Sequence, residues 1–114
     1  MNAQTTIQQL GGQGLSGALV YTGTKQMISF APTDKHDGEM WCQVNGRRGF
    51  HTYIVVRLEY NDTYTLELVS KRGKQKTAVY SLQNDVYCDE LQHYFEQMYD
   101  IHMQQHNKGF IPVS

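Results

Sequence analysis

The clearest pattern along the chain is an alternation of apolar and polar positions in two neighbouring segments, residues 51–60 and 63–70. A period of two over this length is typical of strands that bury one face. Asn61-Asp62 between the segments is a turn signal. The pattern therefore predicts an antiparallel hairpin. Its expected inner positions are Thr52, Ile54, Val56, Leu58, Tyr60, Tyr64, Leu66 and Leu68.

The length of the connecting loop sets the register of this hairpin, because directly opposed residues point to the same face. A two-residue loop would oppose Leu58 to Thr65 and place an apolar face against a polar one. We therefore predict a three-residue loop, residues 61–63. The pairs that follow are Tyr60 with Tyr64, Leu58 with Leu66, Val56 with Leu68, Arg57 with Glu67, Val55 with Val69 and Tyr53 with Lys71.

A third strand and a helix are predicted after the hairpin. The strand covers residues 76–82, with Ala78, Tyr80 and Leu82 as its inner face. Asn84-Asp85 is expected to begin the helix, with Asp85 as its cap. An apolar stripe at helical spacing is expected to pack on the sheet. It consists of Tyr87, Leu91, Tyr94, Phe95 and Met98.

The first fifty residues are less regular. A short helix is predicted at residues 5–10, with Thr5 and Gln8 spaced as a capping box and Gly11-Gly12 at its end. The remaining predicted elements are strands at 18–21 and 26–31, a loop at 32–39 and a short edge strand at 40–44. Residues from about 104 onward are expected to form a flexible tail.

Together these elements predict an α+β fold in one domain, residues 1–114. We expect an antiparallel meander of four or five strands, packed against one C-terminal amphipathic helix, with a short N-terminal helix. The strand near residues 26–31 is an exposed edge, through which a homo-oligomer could form.

Composition limits the expected partners, cellular location and type of activity. The formal net charge of -1 favours neither a nucleic-acid nor a membrane partner. Because no apolar run could span a bilayer and Cys42 and Cys88 are the only cysteines, we expect a cytoplasmic protein with reduced thiols. His102 and His106 would share a helix face, but a further zinc ligand is not well placed, so we predict no metal site. We also predict no cofactor and no enzyme activity, since no catalytic constellation is recognisable.

Two basic turns are the candidate binding residues. Arg47-Arg48 lies in the first, Lys71, Arg72 and Lys74 lie in the second, and Tyr53 is expected nearby. Such a patch suits a phosphate, a nucleic-acid backbone or an acidic protein surface, although solvated hairpin tips are an equal alternative. The glycine-rich residues 11–14 and the segment around Lys25 could present backbone N–H groups to a phosphate, but neither has P-loop spacing.

Four short motifs occur in a characteristic order: Gln9-Leu10-Gly11-Gly12, Thr22-Gly23-Thr24-Lys25, Asp62-Thr63-Tyr64 and Val86-Tyr87-Cys88-Asp89-Glu90-Leu91. In this order the chain resembles a group of small proteins encoded by bacteriophages and other mobile elements, in which alanine is usual at the position of Thr24. The resemblance implies a viral or mobile-element origin and a host-cell cytoplasmic setting. It implies no mechanism.

Three functions remain open on this basis. The first is a non-enzymatic phage or mobile-element protein that inhibits a host function, such as a CRISPR defence system, by binding a host protein. The second is an oligomeric protein that sequesters a phosphorylated or cyclic-nucleotide signal. The third is a nucleic-acid-binding accessory protein, which the net charge disfavours.

Overall fold

A computed structural model describes residues 2–12, 14, 17–45, 51–72 and 75–107, with backbone only at 72, 75–80 and 105–107. These residues form three α-helices and five strands. The helices are α1 (Ala3–Gln9), α2 (Ala18–Tyr21) and α3 (Leu91–Asn107), the last preceded by a 3-10 turn at Cys88–Glu90. The strands are β1 (Gln26–Phe30), β2 (Glu39–Val44), β3 (His51–Leu58), β4 (Tyr64–Arg72) and β5 (Gln75–Val86).

The five strands form one antiparallel meander in the order β1-β2-β3-β4-β5. The α+β fold class, the N-terminal helix and the C-terminal helix are therefore confirmed. Strand β2 was predicted as an edge strand, and this is wrong, because it lies between β1 and β3. The edges are β1, as expected, and β5.

The inner face of the sheet forms the core, against which α3 and the N-terminal helices pack. Alternate residues of β2, β3 and β4 point inward, as the period of two requires. Burying these apolar side chains removes them from water, which is the main favourable contribution to folding. The buried core comprises Leu10, Ala18, Leu19, Met40, Cys42, Val44, Ile54, Val56, Tyr64, Leu66, Leu68, Val86, Leu91, Phe95, Met98 and Tyr99.

The β3–β4 register differs from the predicted one by two residues. Leu58 pairs with Tyr64, so the connection contains residues 59–63 rather than three residues. The loop is closed by the Asp62 N–H, which donates to the Glu59 carbonyl at 3.1 Å, with Asp62 in a left-handed conformation at φ 66°. Tyr60 is consequently exposed, and its hydroxyl donates to the carbonyl of Thr33. A shift of two residues leaves every side chain on its predicted face, so the face assignment of the paired residues holds.

Two N-terminal predictions are corrected. Residues 18–21 form helix α2 rather than a strand, and the Thr22 hydroxyl donates to the Ala18 carbonyl at 2.9 Å at its end. Helix α1 begins earlier than predicted, because the Asn2 side chain accepts from the Gln4 and Thr5 N–H groups; Asn2, not Thr5, is therefore the cap. The predicted end of α1 before Gly11-Gly12 agrees with the structure.

The start of the C-terminal helix is also corrected. Asn84 and Asp85 belong to β5, which runs to Val86, and helical structure begins at Cys88. Asp85 adopts φ 57°, a conformation outside both strand and right-handed helix. Two predicted inward residues point to solvent: Leu82, 54 % exposed, and Tyr87, 59 % exposed.

Helix α3 extends past the predicted start of the tail at 104 and runs to Asn107. Within the described part of the chain, no helix is long and apolar enough to cross a membrane. Residues 108–114, the rest of the predicted tail, lie outside the described residues.

Candidate functional site

The side of the sheet that faces away from α3 carries a cluster of large side chains, which we call the outer-face patch. Its members come from four adjacent strands and surround a shallow hollow of about 100 Å³. They are Ile28, Phe30, Trp41, Tyr53 and Lys71. Ile28 and Phe30 are 41 % and 50 % exposed, although both are strongly apolar. A partly exposed apolar and aromatic cluster of this kind is unusual on a surface that only contacts water.

Strand alternation explains why these residues meet. Met40, Cys42 and Val44 point into the core, so Trp41 between them must point outward. Ile28 pairs with Trp41 across the β1–β2 ladder and therefore lies on the same face.

Trp41, the single tryptophan of the chain, lies at the centre of the patch. Its ring meets Phe30 and Tyr53 edge to face, with centroids 6.4 and 5.5 Å apart. The Lys71 ammonium lies over the Trp41 ring, 4.5 Å from its centroid, and 5.8 Å from that of Tyr53. Both arrangements are favourable for aromatic rings, whose faces are negative and edges positive. The patch is therefore pre-organised by its own contacts.

A hydrogen-bonded row of charges borders the patch. The Arg57 Nε donates to Glu39 Oε2 at 3.2 Å, and its Nη1 donates to Glu67 Oε1 at 3.1 Å. Burial alone would lower the pKa of Arg57, but its hydrogen bonds and charge interactions with Glu67 and Glu39 outweigh burial and raise that pKa. Glu39 also accepts from Trp41 Nε1 at 3.0 Å. The ion pairs thus hold the indole ring in place.

The predicted binding residues are only partly brought together in the described structure. Lys71 and Tyr53 both belong to the outer-face patch, although they do not pair directly as predicted: Lys71 opposes His51, and Tyr53 opposes Val69. Lys25 is exposed and directly precedes β1. It lies at the end of the sheet at which β4 ends, close in register to Gln43 and Tyr53.

The other predicted binding residues cannot be placed in the same way. Arg72 closes β4, and its side chain lies outside the described atoms. Arg47, Arg48 and Lys74 lie outside the described residues altogether.

The glycine-rich segments use several of their described N–H groups within the fold. Gly11 and Gly12 donate to the carbonyls of Gln8 and Ile7 at the end of α1. Gly23 donates to Val20, and Lys25 donates to Gln43. These N–H groups are therefore already engaged, which argues against the phosphate cradle considered from the sequence.

The other reactive side chains that the structure describes do not assemble into a second candidate site. His102 is 2 % exposed, so its side chain is buried rather than on a solvated helix face. The side chain of His106 lies outside the described atoms. Cys88 is exposed, whereas Cys42 is buried. Among described side chains, no three of His, Cys, Asp or Glu are grouped to hold a metal ion.

Sequence reasoning missed Trp41, Phe30 and Ile28 as site residues. A signal was present, because the apolar alternation of β2 directs the only tryptophan away from the core. The prediction of β2 as an edge strand obscured this signal, since an edge strand has a partner on only one side. Both neighbours, β1 and β3, contribute residues to the patch.

Comparison with known proteins adds no relative: no protein-family model, curated protein or solved structure matches this chain.

Proposed function

We propose that this protein is a non-enzymatic binding protein of a bacteriophage or another mobile element, and that it inhibits a host function by binding a host protein through the outer-face patch. The motif resemblance supports the origin. A defence system, such as CRISPR, is the host function that we favour. The observation that carries the binding proposal is the partly exposed cluster around Trp41, on the sheet face that no described helix covers.

The composition of the patch supports a protein partner. Trp, Tyr and Arg supply most of the binding energy in protein interfaces, and they act best in a desolvated centre surrounded by polar groups. Trp41 and Tyr53 form such a centre, and the pairs of Arg57 with Glu39 and Glu67 form a polar border. The pre-organised rings would lose little conformational freedom on binding.

Charge and volume favour a protein over a nucleic acid or a nucleotide. On the described outer face, Arg57 and Lys71 are balanced by Glu39 and Glu67, so a phosphate backbone gains little net attraction. The hollow of about 100 Å³ is smaller than the roughly 300–1,000 Å³ of small-molecule sites. A partner that inserts one apolar side chain and presents a carboxylate to Lys71 fits both observations.

The test is affinity capture from bacterial host lysate with four forms of the purified protein. These are the wild type, Trp41→Ser, Lys71→Glu and Leu82→Ser. Leu82 is also exposed on the outer face, but it lies on β5, three strands away from Trp41, and provides a matched control. Circular dichroism establishes that each variant is folded. Native mass spectrometry of the wild type and of Lys71→Glu reports any small molecule that each retains.

The proposal requires a host protein that the wild type and Leu82→Ser both capture and that both patch variants lose. Once purified, that host protein must be inhibited by the wild type and not by Lys71→Glu. Equal capture by all four forms contradicts the proposed surface. A retained nucleotide that Lys71→Glu fails to retain contradicts the proposal in favour of signal sequestration.

A further inference from the structure

Strand β1 is the edge strand that contributes Ile28 and Phe30 to the outer-face patch. It is exposed to solvent along most of its length. Four of its five residues are exposed, and Met27 alone is half-buried. Among the described strands β1 pairs only with β2, so the N–H and C=O groups that point away from β2 have no partner in any described strand. Such an edge is a template for another strand.

The usual protections of an edge strand are missing from β1. It contains no charged residue and no proline, and its pairing with β2 is regular over all five residues. The other edge differs: the β4–β5 ladder has register shifts at three places, and Asp85 departs from strand geometry. Bulges of this kind twist an edge away from a regular partner. The two edges are therefore unequal, and β1 is the one prepared for pairing.

We propose that a second copy of this chain pairs with β1, antiparallel to it, and joins the two five-stranded sheets into one. Antiparallel self-pairing is symmetric, so each copy offers the same edge to the other. Since β1 carries no charge, no like charges are opposed. The exposed Ile28 and Phe30 would then contact the same strand of the second copy, which supplies the apolar burial that backbone pairing alone lacks.

This pairing would also enlarge the binding surface. Ile28 and Phe30 belong to the outer-face patch, which reaches the edge of the sheet at β1. Two copies joined at β1 would place both patches side by side on one continuous face. Self-association does not depend on the proposed host partner and is measured with the purified protein alone, so either proposal can fail without the other.

The experiment is sedimentation equilibrium of the purified chain over a wide concentration range. We expect a reversible transition from 13.1 kDa to twice that mass. Ile28→Lys places a charge at the centre of both paired strands and is expected to raise the dimer Kd at least about tenfold. Leu82→Lys, which changes an exposed apolar residue on the other edge strand, is expected to leave Kd unchanged.

Amide hydrogen exchange of the wild type provides a measurement that does not depend on a variant folding. Raising the protein concentration should slow exchange within residues 26–30 and leave β5 unaffected. A monomer at every concentration overturns the proposal. So does a dimer whose Kd is the same in Ile28→Lys, or one whose concentration-dependent protection lies outside β1.

Discussion

Replacing Arg57 with methionine tests whether the charged border stabilises the fold and orients Trp41. Methionine keeps most of the aliphatic length but removes the guanidinium, and with it the hydrogen bonds to Glu39 and Glu67 at 3.2 and 3.1 Å. The three side chains are 24 %, 17 % and 16 % exposed, so water replaces the lost contacts only in part.

The expected loss of unfolding free energy in Arg57→Met can be set between two limits. A fully exposed ion pair contributes about 0–1 kcal/mol, and a hydrogen bond to a charged group contributes about 1.5–3 kcal/mol. For two mostly covered contacts on one guanidinium, we expect the free energy of unfolding to fall by about 2 kcal/mol. At this chain length that corresponds to a Tm lower by about 8 °C.

Urea unfolding, followed by Trp41 fluorescence and by circular dichroism, measures this difference. Lys71→Met is the matched control, since it removes a cation that rests on the Trp41 ring and should cost at most about 1 kcal/mol. Arg57→Met should also raise the mobility of the indole, seen as lower fluorescence anisotropy, because Glu39 is no longer held. A loss below about 0.5 kcal/mol, typical of an unremarkable surface change, would refute the reasoning.

Two further predictions concern individual side chains. Burial raises the pKa of the Cys42 thiol to about 12. A thiol reagent should therefore modify only Cys88 in the native protein and both cysteines in denaturant. Rapid modification of both cysteines in the native protein would contradict the buried placement of Cys42. The hydrogen bond from Tyr21 to Asp100 is the main cause of a raised Tyr21 pKa. Its contribution to stability is therefore present below the ordinary tyrosine pKa of about 10 and is lost as pH rises through the folded value. The stability difference between wild type and Tyr21→Phe should accordingly shrink in alkaline urea titrations, and a difference independent of pH would contradict this assignment.

The hairpin illustrates what alternation does and does not determine. Its period of two assigned Ile54, Val56, Leu66 and Leu68 to the core, and all four are buried. The register was wrong by two residues, because a shift of two preserves every face and only loop geometry separates the alternatives. The Asp62 conformation and the hydrogen bonds of the loop select the longer connection, and neither is encoded in the alternation.

The predictions for short apolar segments were wrong for a related reason. Ala18–Tyr21 has too few residues for a helical period to be distinguished from a strand. In the fold this segment makes contacts distant in sequence: Ala18 and Leu19 are buried in the core, and Tyr21 donates to Asp100 on α3. The side chain of Leu82 likewise points outward because of the irregular β4–β5 register. That register places Leu82 opposite Glu67, which lies on the outer face. Tertiary contacts decided these positions, and local sequence could not.

The outer face contains buried residues as well as exposed ones. A substitution there can therefore change both binding and the stability of the fold. Val55 and Val69 point outward, yet each is only 1 % exposed. In register Val55 lies between Trp41 and Glu67, and Val69 is opposed to Tyr53, so long neighbouring side chains shield both valines. Removing the Trp41 ring would therefore uncover apolar surface and weaken the fold as well as the binding site. The Lys71 ammonium lies over the rings of Trp41 and Tyr53 without filling the core. Lys71→Glu is therefore the variant in which a loss of binding can be assigned to the interface itself.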